Sequence, residues 1–110
     1  MKLVIPSECQ IGARKIRIRR SEQGLEIGDM SAQTSMFNQI IRISTVYHAN
    51  PRHNEQLLET LLHEAVHIID HLYIRALDEE QIGALGSGLA QFLISLGIEP
   101  DFSQIPEEEK

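Results

Sequence analysis

The chain has 110 residues, one cysteine, no tryptophan, and a formal charge of −6 from 10 Lys and Arg against 16 Asp and Glu. That length suits one domain with a modest core, holds no apolar run long enough to span a membrane, and argues through its acidic balance against a nucleic-acid partner. A lone Cys9 forms no internal disulfide and Met1 to Pro6 is too short in apolar residues for a signal-peptide core, so the expected location is cytoplasmic.

Residues 2–5 read as an edge strand. Residues 15–20 alternate isoleucine with cations, the period-two pattern of a half-buried strand. The polar break at 21–24 reads as a turn, and residues 25–27 as a short returning strand. A further strand is expected over residues 36–44, where Ile40, Ile41 and Ile43 cluster. After Pro51 the pattern turns helical. Leu57, Leu58, Leu61, Leu62, Ala65, Val66, Ile68, Ile69 and Leu72 recur at three- and four-residue steps. A first helix over 55–73 follows, with Asn54 as its N-cap. A polar joint at 75–80 leads to a second helix over 78–96, with Ile82, Leu85, Leu89, Phe92, Leu93 and Leu96 as its apolar stripe. Gly97 suits the C-cap and Pro100 blocks continuation. The fold class expected is α+β: a small N-terminal β-sheet packed against two main helices. It forms a single domain, β-rich over 1–50 and helical over 51–97, with a flexible acidic tail over 98–110.

The first helix carries His63-Glu64-Ala65-Val66-His67, an H-E-x-x-H motif. Histidines four apart lie about 40° apart around a helix, so both imidazoles converge on one ion. Glu64 points about 100° away from His63, where it misses the ion but reaches a water beside it. Zn²⁺ suits nitrogen and carboxylate donors and brings bound water towards neutral pKa. The flanks Leu61, Leu62, Ile68 and Ile69 give the motif an apolar setting, in which three unserved polar groups would be costly.

A catalytic zinc takes three protein ligands. The start of the second helix, Asp78-Glu79-Glu80, is the best source of the third. On a helical wheel Glu79 shares a stripe with Gly83, Gly86 and Ala90, small residues that suit close helix–helix approach. Glu79 is therefore the favoured ligand, with Asp78, Glu80 and His71 as the alternatives; Asp78 also suits the N-cap. Tyr47, His48, His53, Tyr73 and Arg75 are further groups able to polarise a carbonyl, and no sequence rule selects among them. Arg14, Lys15, Arg17, Arg19 and Arg20 read as a solvated cationic strand face.

The segment from Leu61 to Ile69, followed by Glu79, Ile82, Leu85, Leu89, Phe92 and Leu93, resembles the small zincin-type metallopeptidase proteins of phages and bacteria, relatives of the gluzincin clan and more distantly of ImmA/IrrE-type domains. The resemblance covers about residues 36–96. It implies Glu79 as third ligand. It also implies that an extended peptide pairs along the strand before the active helix, here Ile40 to Ser44. Two features of that group are absent: Gly83 stands where many gluzincins have an acidic residue, and no F-A-x-x-L-L-M-P-like sequence is present.

The function expected is a zinc metalloprotease, hydrolysing peptide bonds of a peptide or protein substrate. His63, His67 and Glu79 would hold Zn²⁺, and Glu64 would be the catalytic base. The alternative is a metal-stapled regulatory or binding module with little or no protease activity.

Overall fold

The computed structural model describes residues 1–21, 32–47 and 50–108. Three N-terminal strands come first: β1 (Lys2–Val4), β2 (Glu8–Ile11) and β3 (Arg14–Arg20). In β3 the alternation does what its period requires. Ile16 and Ile18 are buried, while Lys15 and Arg17 are exposed. β2 and β3 pair antiparallel across a two-residue connection whose Gly12 takes φ +60°, the left-handed region glycine enters at little cost. The strand expected at 25–27 lies outside the described residues.

β4 (Ala32–Ser35) and β5 (Ile40–Ile43) complete the main sheet. Its order is β2-β3-β5-β4, with β5 parallel to β3 and antiparallel to β4. The segment expected over 36–44 is thus shorter at its start, and it is interior. Ile40, Ile41 and Ile43 are all buried, as in a strand with neighbours on both sides. The edge strands are β2 and β4, and the Ala-Gln-Thr-Ser sequence of β4 has no apolar alternation to reveal it. β6 (Val46–Tyr47) and β7 (Asn50–Pro51) form a separate antiparallel pair leading into the helices.

Helix α1 spans Asn54–Ile69. Its N-cap is His53 rather than Asn54, and the Gln56 side chain accepts the His53 backbone N–H at 2.9 Å. The chain then continues as a π-helical turn over Asp70–Ile74. Arg75 ends it at φ +59°, its N–H donating to the Asp70 carbonyl at 2.7 Å. Helix α2 spans Glu79–Ser95 behind a capping box, in which Asp78 accepts from the Gln81 N–H at 2.8 Å and Gln81 accepts from the Asp78 N–H at 3.0 Å. Gly97, at φ +91°, ends α2 in a Schellman motif: its N–H donates to Ile94 and that of Ile98 to Leu93.

The face α2 turns inward differs from the one its leucines suggest. Ile82, Gly86 and Ala90 are its buried residues, whereas Leu85, Leu89, Phe92 and Leu96 are exposed. A Cβ built at Gly86 would lie 3.0 Å from both N and Cα of His63, so α2 runs almost against the α1 backbone. Bulky side chains cannot occupy that contact, and the leucine stripe is turned outward.

The last strand, β8 (Glu99–Asp101), pairs parallel with β1 in a ribbon separate from the main sheet. Residues 98–108 are therefore folded rather than free. Phe102 and Ile105 enter the core beside Ile18 and Ile43, Glu107 pairs with Arg20, and Glu108 grips Arg42 Nε through both carboxylate oxygens at 2.8 and 2.9 Å. Part of the cationic face of the sheet is thus covered by the chain's own acidic tail. The whole is a small α+β fold in which α1 lies across β4 and β5 and packs along α2.

Candidate metal centre

Each donor arrives by a separate local device. His63 and His67 project from one face of α1, with ring centroids 5.0 Å apart. Glu79 is the first residue of α2, fixed there because Asp78 takes the capping position before it. Gly86 lets α2 approach α1 two turns further on. The result brings His63 Nε2 to 2.8 Å from Glu79 Oε1, and His67 Nε2 to 3.1 Å from Glu79 Oε2. One donor atom from each of the three residues lies within 4.8 Å of the others, and no other group of three such residues converges among the described residues.

The donor set fits zinc. Donors about 2.0–2.1 Å from a tetrahedral ion stand roughly 3.3–3.4 Å apart. Here one carboxylate bridges two imidazole nitrogens at slightly shorter range, so a small outward shift of the Glu79 side chain makes room for an ion. That side chain is 70 % exposed and free to make the shift. Asp78, Glu80 and His71, the alternatives for third ligand, are not in the cluster. Asp78 is the helix cap, Glu80 is exposed on α2, and His71 lines the groove wall.

Glu64 is set apart from the ligands. It is 8 % exposed, the one buried charged side chain among the described residues. The Thr34 hydroxyl, on edge strand β4, donates to its Oε1 at 3.0 Å. Strand and helix thereby hold the carboxylate in place in the groove that His63, His67 and Glu79 also line. All four residues open into one groove of about 1280 Å³, with Ala32, Gln33 and Thr34 of β4 along one side and Arg75 and Leu77 along another.

Two contributors escape the motif. Thr34 sits in an uncharacteristic strand and nothing local marks it. Asp70, three residues beyond His67, accepts the backbone N–H groups of Ala76 and Leu77 through Oδ1, each at 3.0 Å. Those bonds hold its carboxyl below the usual aspartate range and fold the joint that delivers Glu79. A signal existed: Asp just past a helix, followed by a polar joint, is a residue type that captures free backbone N–H groups.

Among the carbonyl-polarising residues considered, Arg75 lines the groove, Tyr73 is exposed with its hydroxyl near Gly12, His53 is the α1 cap, and His48 lies outside the described residues. Cys9 is part-buried on β2, and burial together with Glu8 pushes its thiol up, away from reactive thiolate.

Comparison with models of known protein families, with curated proteins and with solved structures finds no match.

Proposed function

We propose that the protein is a zinc-dependent peptide hydrolase. The observation that carries this is the convergence of His63, His67 and Glu79 beside a buried Glu64 that is not one of the three. His63, His67 and Glu79 would hold the ion. Bound zinc supplies Lewis acidity and a water acidified towards neutrality. Glu64 takes the proton from the attacking water and delivers it to the leaving amine. Thr34 keeps Glu64 aimed during both transfers.

The substrate would be a peptide in extended form. The pairing first expected along Ile40 to Ser44 has no free edge there, because β5 is bonded on both sides. Among the described residues β4 has β5 on one side and no strand on the other, and it borders the groove. An extended chain added to that edge gains main-chain hydrogen bonds without demanding a particular sequence.

The test is metal content and activity together. Protein purified without added metal should carry one zinc per chain and cleave an unstructured peptide library. Glu64→Gln should keep the zinc and lose cleavage. A metal-stapled binding module would give zinc without cleavage in the native protein, and absence of tight zinc binding refutes both readings.

A further inference from the structure

The outward face of α2 has no task in the metal centre. Leu85, Leu89, Phe92 and Leu96 follow one another at spacings of four, three and four residues, the period of a helix-pairing seam. Their exposures run from 43 % at Leu89 to 62 % at Leu96. Residues 81–98 contain no Asp, Glu, Lys or Arg, in a chain whose net charge is −6. Two like-charged copies can therefore bring this face together without opposing charges.

Gly88 supplies a second, independent observation. It lies near the middle of α2, beside the seam, and a Cβ built there meets nothing within 4 Å. Gly86 answers to the His63 backbone across the α1 contact, but nothing within the protomer explains a poor helix former at Gly88. A close crossing of two α2 helices at that point does explain it.

The area is also in proportion. Met1 extends the seam, its ammonium donating to the Gly97 carbonyl at 2.6 Å while its side chain stays exposed. At ~150–200 Å² for each such side chain when fully open, the five residues present about 500 Å² of apolar surface. A standard interface takes roughly 800 Å² from each partner, about two-thirds of it apolar in homodimers.

We propose that the protein is a two-fold dimer in which the α2 helices cross antiparallel at Gly88, setting Leu85 of one copy near the partner's Phe92. The candidate metal centre lies on the side of α2 that faces α1, about 110° round the helix from the seam, and stays open on each subunit. Sedimentation of the full chain from micromolar to submillimolar concentration should give twice the chain mass. Leu85→Lys and Phe92→Glu should each weaken association by about thirtyfold or more. Circular dichroism and zinc content should be unchanged in both, since each side chain is exposed in the protomer. An equimolar mixture of the two variants should associate again, because lysine and glutamate then face each other. Gly88→Ala should weaken association while leaving the helix intact. A wild-type chain that stays monomeric at submillimolar concentration overturns the proposal. If that monomer then sediments with phosphatidylcholine–phosphatidylglycerol vesicles, the face is a lipid contact instead.

Discussion

Gly86→Ala tests how closely the proposed metal centre depends on the approach of the two helices. The added methyl would sit 3.0 Å from N and Cα of His63 and 3.3 Å from its Cβ. Carbon contacts rest at about 3.5–4.0 Å, so the helices must give way by a few tenths of an ångström at this crossing. The opposing atoms are mainly backbone and cannot rotate aside. Overpacking of this kind costs about 1–3 kcal/mol, and the gain in helix propensity returns ~1 kcal/mol. A net loss of up to about 2 kcal/mol lowers the melting temperature by up to ~10 °C in a domain of this size. Glu79 rides on the same rigid helix and withdraws from His63 and His67. If ~1.4 kcal/mol of that strain falls on the metal complex, zinc affinity drops about tenfold. Thermal melting by circular dichroism and competition with a chromophoric chelator measure the two effects. Gly83→Ala is the control: its Cβ would meet the His63 ring at 3.9 and 4.0 Å, ordinary contact, and the variant should melt no lower than the parent. A Gly86→Ala protein that melts at or above the wild type with undiminished zinc affinity refutes the reasoning.

Glu64→Gln should reduce peptide cleavage by about 10²–10⁴-fold, the range of a general base, with zinc content unchanged. Thr34→Val removes the donor to Glu64 Oε1; cleavage should fall about 10–100-fold, again without loss of metal, in steady-state assays beside zinc analysis. Asp70→Ala strips the acceptor from Ala76 and Leu77 and should weaken zinc binding without touching a ligand, read by the same chelator competition. The tail contact should be acid-labile. Arg42 beside Glu108 holds that carboxyl below the usual glutamate range, so the pair contributes fully above about pH 4.3 and is lost as pH falls through the depressed value. Hydrogen-exchange protection, taken against the intrinsic rate at each pH, should fall at Arg20 and Glu108, whose N–H groups donate to Pro106 and Arg20, over that interval and not at neutral pH.

The parts of the fold legible in the sequence are those set by local chemistry. Asp78 capping α2, Gly97 ending it, the isoleucine alternation of β3 and the small-residue stripe through Gly83, Gly86 and Ala90 all follow from neighbours a few positions away. The convergence of His63, His67 and Glu79 was legible for the same reason, since the stripe says which side of α2 meets α1. The remainder depends on pairing between distant segments. Periodicity found the leucine seam of α2 but could not say that it faces outward, because two apolar stripes competed for the inside and the smaller one allowed closer packing. β5 shows no outward sign of being interior until β3 and β4 are seen on its two sides. The run of glutamates near the end read as a free solvated tail because its partners, Arg20 and Arg42, lie far back in the chain.

The ribbon of β1 and β8 bears on the order in which the protein folds. Its register joins Lys2 to Glu99 and Val4 to Asp101, so it closes nearly the whole chain into one loop. Closing a loop of that length costs about 4 kcal/mol of chain entropy on the logarithmic scale, against roughly 2.5 kcal/mol for the segment between His63 and Glu79. The hairpin of α1 and α2 thus has the lower entropic threshold, and His63, His67 and Glu79 can meet while β1 and β8 are still apart. The ribbon then acts as a clasp fastened last, drawing Phe102 and Ile105 into a core whose helices are already in place.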